Sequence, residues 1–168
     1  MMMIEIIQRF IMMVVFCLVQ VMVLNRIHVF NCATPLLYVY FAIMFPRNYP
    51  RWAILLWCFT IGLVIDAFSN TPGVASASMT LIGALQPVLL ELFLPRDADD
   101  HIKVSAQTMT VGKFAHFTTI LTLLFCVVFF ALESFSFFDW LYWLQCVLGS
   151  TILTVIFIFT LECFRKSK

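Results

Sequence analysis

Residues 62–73 read Gly62-Leu63-Val64-Ile65-Asp66-Ala67-Phe68-Ser69-Asn70-Thr71-Pro72-Gly73 and break the apolar sequence between two long runs, 52–68 and 74–94. Each run approaches the roughly 20 residues that a helix needs to cross a bilayer core about 30 Å thick. The five residues from Ser69 to Gly73 have turn chemistry: Ser and Asn bond nearby backbone, Pro presets φ, and Gly admits a left-handed bend. A membrane-spanning helical hairpin follows. Asp66 stands about one turn before its tip, where a carboxylate can reach the outer headgroup region. Gly62, a turn earlier, admits a close neighbour. Asp66 and Ser69 are placed to bond the backbone groups that the turn frees, and Pro72-Gly73 closes it.

Outward from this hairpin the same pattern continues in both directions. Candidate spans occupy 4–24, 29–45, 52–68, 74–94, 114–132 and 140–161, making the 168 residues a single polytopic membrane domain. Composition agrees: 63% of residues are hydrophobic and 11% charged, against roughly 45–50% and about 25% in soluble domains. A water-soluble fold is excluded. Ten Lys and Arg against nine Asp and Glu give a net charge of +1, so there is no basic excess to attract nucleic acid. The candidate 29–45 carries Asn31 and Pro35 near its start and reaches about 26 Å as a helix. Turn signals at 46–50, 69–73, Pro95 with the polar stretch behind it, and 133–136 separate the later spans. Met1 to Glu5 lead into the first run without a basic segment or small-residue cleavage site, so this run reads as a retained helix.

Lys and Arg placement gives the orientation. Six spans with the N-terminus inside put Arg9, Arg47, Arg51, Arg96, Lys103, Lys113, Arg165, Lys166 and Lys168 in the cytoplasm and leave Arg26 outside. Five spans, with 29–45 dipping in and the N-terminus outside, do equally well, with Arg9 as the exception. Charge therefore orients everything after residue 46, with a cytoplasmic C-terminus, but does not choose between the two. Six spans are preferred, because a return loop in lipid exposes unpaired backbone groups unless the protein covers them.

The remaining side chains read as parts of a bundle. Trp52, Trp140, Tyr142 and Trp143 fall at segment ends, as interfacial anchors do, and the 19 phenylalanines suit lipid-facing packing. The six isolated cysteines, four of them deep in apolar runs, read as small hydrophobes, neither a disulfide framework nor a zinc site. No nucleophile elbow, metalloprotease pair or phosphate loop occurs, so neither an enzyme nor a cofactor or metal site is expected. Asp97, Asp99, Asp100 and His101 read as a solvated acidic loop. Glu91 and Glu162 have Arg96 and Arg165 nearby for interfacial pairing, and Gln20, Gln86 and Gln145 can bond across helices. In 74–94, Ser76, Thr80 and Ala84 recur every four residues with Ala75, Met79 and Gly83 alongside, a stripe that lets another backbone approach. Pro87 removes a donor and is expected to kink this helix.

Gly62, Leu63, Asp66, Ser69 and Gly73 match the pattern of the rod shape-determining protein MreD family: Gly-Leu, two residues, Asp, two residues, Ser and a Gly just beyond. The chain resembles that family over nearly its whole length, through Pro35, the proline-bounded inner loop 46–50, Pro87 and the short basic C-terminus, and looks closest to its Bacteroidetes type. Gln86 departs from the pattern, where many relatives place an arginine. The resemblance implies an all-α integral membrane protein of about six transmembrane helices, similar in fold to the substrate-binding subunits of energy-coupling factor transporters. It implies a non-enzymatic scaffold in the bacterial inner membrane that binds MreC and works near MreB filaments, RodA and its partner transpeptidase in lateral peptidoglycan synthesis. Gly62, Asp66, Ser69, Pro72, Gly73, Ser76, Thr80 and Ala84 are the candidate partner-binding or turn residues. The fold likeness also supplies the alternative, a vitamin-type binding subunit of a transporter, for which Asp66, Ser69, Asn70 and Asp139 are a thin set of outer polar groups.

Overall fold

In a computed structural model the apolar runs become six helices, within the described residues 2–24, 34–47, 49–94, 104, 109–134 and 140–166. They are α1 (Met2–Met22), α2 (Val39–Ile43), α3 (Arg51–Ser69), α4 (Val74–Phe93), α5 (Val111–Ser134) and α6 (Trp140–Lys166). No strand occurs among the described residues. Helices α3, α4, α5 and α6 are each long and apolar enough to cross a membrane, and α1 carries a shorter apolar stretch, Ile6–Met22. Their outward faces are greasy: Phe10, Ile11, Val15 and Leu18 of α1 and Leu141, Ile152 and Ile156 of α6 are all exposed. Such surface is unfavourable in water and natural against lipid tails. The described chain is all-helical, with four helices fit by length and composition to span a membrane.

Neighbours in sequence pack on each other, α3 with α4, α4 with α5, and α5 with α6. The second apolar run departs from expectation. Where 29–45 reads as one helix, its described part, from residue 34, is non-helical to Tyr38 and then forms only the five residues of α2, about 7.5 Å of helix. Yet this piece is the centre of the molecule: Tyr38, Val39, Ala42, Ile43 and Phe45 are fully buried, and α2 packs on α1, α3, α4 and α5. Pro35 lacks an N–H and disfavours helix in the residue before it, which helps keep the start non-helical.

Side chains of other helices bond the backbone that helix would otherwise satisfy. The Thr34 N–H donates to Ser150 Oγ at 3.1 Å and the Leu36 N–H to Thr154 Oγ1 at 3.0 Å. Gln20 of α1 takes both sides of the next peptide groups, Nε2 donating to the Pro35 carbonyl and Oε1 accepting from the Leu37 N–H, each at 3.0 Å. Irregular backbone survives inside a membrane protein when protein groups bond it in this way.

These contacts also define direction. Positions 34, 36 and 40 meet 150, 154 and 162 in turn, so this stretch runs parallel to α6. Against α1 the order reverses: Leu37 meets Gln20, Tyr40 meets Phe16 edge-on with ring centroids 5.9 Å apart, and the Arg9 guanidinium lies 4.7 Å and 4.5 Å from the ring centres of Phe45 and Tyr49. Helix α1 thus starts at the end of the bundle where α3 starts.

Candidate functional site

The α3–α4 joint is built around Asp66. Helix α3 ends when Asn70 enters the left-handed region (φ 57°, ψ 32°), and the N–H groups of Asn70 and Thr71 both turn back to the Asp66 carbonyl. Helix α4 opens at Gly73, whose φ of +86° lies where a side chain would be strained. A glycine N-cap offers no oxygen to the first-turn N–H groups, which in most helices a Ser, Thr, Asp or Asn would bond. Asp66 supplies it from the other helix. Oδ1 accepts from the Ala75 N–H at 2.8 Å and from Thr71 Oγ1 at 3.0 Å, while Oδ2 accepts from the Ser76 N–H at 2.8 Å. The carboxylate also sits at the positive end of the α4 dipole, and bonds to an ionised acceptor are the stronger kind. One residue thereby closes both helix ends. It is 7% exposed, so the reading of Asp66 as a carboxylate reaching the headgroup region gives way to a buried cap: the N–H groups ahead of it replace water.

Gly62 makes the joint possible. A Cβ there would stand 2.4 Å from the Ser76 Cα and 2.8 Å from the Ala75 carbonyl oxygen, so α3 and α4 touch backbone to backbone, at the height that brings Asp66 onto the start of α4. Among the other sequence candidates, Ser69 is half-buried, and Pro72 and Gly73 are exposed at the tip. Ser76 is packed in the joint and its hydroxyl donates to the Gly73 carbonyl at 3.2 Å.

The expected stripe on α4 is only partly a packed face. Ser76 is buried, Thr80 half-buried with its hydroxyl on the Ser76 carbonyl, and Ala84 exposed. A four-residue repeat drifts by about 40° at each step around a helix, whereas a seven-residue step nearly returns to the same face. Ser76 and Gly83 are the pair that faces α3, Gly83 lying against Cys58. Ala84 joins the outward face with Leu81 and Val88.

At the opposite end of the bundle lies a cluster that local sequence reading only half finds. Glu162 pairs with Arg165 at 3.5 Å, as their spacing suggests, but Tyr40 completes it. The Tyr40 hydroxyl donates to Glu162 Oε2 and accepts from Arg165 Nη1 at 3.2 Å. No local signal joins positions so far apart in sequence. The acceptors Ser150 and Thr154 did carry one, a pair of hydroxyls one turn apart amid an apolar helix.

Other expectations fare differently. Gln20 and Gln86 bond the backbone of the second run, Gln86 Nε2 reaching the Phe45 carbonyl at 3.2 Å, while Gln145 is exposed. Helix α4 continues through Pro87 to Phe93. Cys146, read as a small hydrophobe, is disulfide-bonded, whereas Cys17, Cys58, Cys126 and Cys163 are free thiols. Spacing along a chain does not disclose which cysteines meet in space, and Cys32 lies outside the described residues. So do Asp97, Asp99, Asp100, His101 and Asp139. Among the described residues no three His, Cys, Asp or Glu side chains converge as metal ligands. Compared with protein-family models, curated proteins and solved structures, the chain matches none.

Proposed function

We propose that this chain is a non-enzymatic scaffold of the bacterial cell-elongation machinery, of the rod shape-determining MreD type, which serves lateral peptidoglycan synthesis by binding MreC. The observation that carries the reading is the joint between α3 and α4. The motif residues Gly62, Asp66 and Gly73 converge there, together with Ser76, on one tip tied by the Asp66 hydrogen bonds. The tip presents exposed Asn70, Pro72 and Gly73 and continues into the outward face of α4 at Leu81, Ala84 and Val88. That continuous surface is where we place MreC. Through it the chain is linked indirectly to MreB filaments, RodA and its partner transpeptidase.

We further infer six passes in the inner membrane, with both termini in the cytoplasm. The start of α1 lies at the α3-start end, and the stretch from residue 34 to 45 descends beside α6, so this broken stretch counts as the second pass. Arg9, Arg47, Arg51, Lys113 and Arg165 then share the cytoplasmic side, as the positive-inside rule requires.

Co-expression with MreC tests the proposal. Ala84→Trp adds bulk to an exposed position and should leave the amount of folded protein unchanged while lowering MreC recovery at least fivefold. Undiminished recovery with this variant and with Leu81→Trp would refute the α4 surface. A stoichiometric small molecule retained by the wild type, with no MreC bound, would replace the scaffold by the transporter-subunit alternative.

A further inference from the structure

We propose that α2, α4 and α5 enclose a hydrated seam inside the bundle, a binding site for ordered water held by Tyr38, Gln86, Thr118 and Thr122. The helix hydroxyls of this chain have a common habit. Those of Thr60, Ser78, Thr80, Thr151 and Thr154 each donate to the carbonyl four residues back at 2.7 Å. Thr118 and Thr122, in the interior of α5 with carbonyls equally at hand, do not. Both are fully buried and neither hydroxyl has a protein partner.

Two further buried atoms without a partner lie around the same junction: the Tyr38 hydroxyl and Gln86 Oε1. Thr118, Thr122 and Phe125 share one face of α5 by helical spacing, and Phe125 meets the Tyr38 ring edge-on at 5.4 Å, so that face looks onto the start of α2. Gln86 reaches the other end of α2 from α4, its amide nitrogen on the Phe45 carbonyl and its oxygen left over. The three elements pack on one another. Four polar atoms left dry in a low-dielectric interior would cost much of a domain's net stability.

The donor set identifies the occupant. Three hydroxyls both donate and accept, one amide oxygen accepts, and none of the four carries charge. A cation would call for carboxylates and an anion for Arg or Lys. A small neutral molecule that donates and accepts equally fits, and buried water with about two to four partners is the usual solution.

Radiolytic hydroxyl footprinting of the full chain in nanodiscs reads bound water directly, because radicals form where water is. Phe125 should be oxidised several-fold faster than Phe41, which is comparably buried but packs on Phe45 and Trp57. Thr118→Val with Thr122→Val, which keeps the shape and removes the hydroxyls, should bring Phe125 down to the Phe41 rate. It should also lower Tm by roughly 3–6 °C. Equal rates for Phe125 and Phe41 in the wild type would overturn the proposal, whether or not the variant folds. So would a variant with unchanged or higher Tm, the behaviour of dry hydroxyls replaced by an apolar isostere.

Discussion

Three glycines separate what a missing Cβ does in this chain. At Gly62 the added atom would meet the backbone of Ala75 and Ser76, at Gly83 the Cys58 Sγ at 2.9 Å, and at Gly112 nothing within 4 Å. Backbone cannot move aside without shifting a helix, a side chain gives way more cheaply, and open space costs nothing. Gly62→Ala should therefore destabilise by about 2–3 kcal/mol or prevent folding, Gly83→Ala by less, and Gly112→Ala should be neutral or stabilise by about 0.5–1 kcal/mol. Thermal unfolding in one detergent ranks them, and a Gly62→Ala variant as stable as Gly112→Ala would contradict the close approach of α3 and α4. Asp66→Asn tests the other half of the joint. Its amide can accept from one N–H but turns a donor toward the second, so a loss of about 1.5–3 kcal/mol is expected; wild-type stability would mean that the cap carries little weight.

The stretch from residue 34 to 45 is the element that depends most on its neighbours. In an α-helix the N–H groups of Leu36 and Leu37 would have partners four residues back in the same chain; here they have Thr154 and Gln20. Removing one such acceptor orphans a buried N–H, at a cost of about 1–3 kcal/mol. Thr154→Val should incur it while Thr154→Ser, which keeps the oxygen, should remain close to wild type. Gln20→Leu should be worse than Thr154→Val, since it orphans the Pro35 carbonyl as well as the Leu37 N–H. Unfolding midpoints of the three variants decide this, and equal stability of the Val and Ser variants would show that the bond from Leu36 contributes nothing.

For the whole molecule, the antiparallel register of α1 with the stretch from residue 34 to 45 puts the start of α1 at the end of the bundle where α3 starts and the Asp66 joint at the other end, which in the proposed six-pass arrangement are the cytoplasmic and outer sides. In a Cys163→Ser background, a cysteine at Met2 should resist an impermeant thiol reagent applied outside intact cells, and one at exposed Pro72 should react. Labelling of the Met2 cysteine from outside would refute the six-pass arrangement, since an odd number of crossings would then separate the ends.

Helix type and the positions of α3 to α6, each long and apolar enough to span a membrane, were legible from the sequence, because long apolar runs and intrahelical bonding are both properties of consecutive residues. The turn at 69–73 and the prominence of Asp66 were legible for a similar local reason: Ser, Asn, Pro and Gly punctuate the chain wherever they cluster. What Asp66 bonds, and which face of α4 meets α3, only the tertiary structure decided, since Gly73 as an N-cap leaves vacant a role that a residue from another helix fills. The second run shows the limit most plainly. Its apolar length spells a spanning helix, but hydroxyls of α6 and an amide of α1 bond its backbone equally well, and the choice between a continuous helix and a broken stretch rests with groups that meet it only after the bundle has formed.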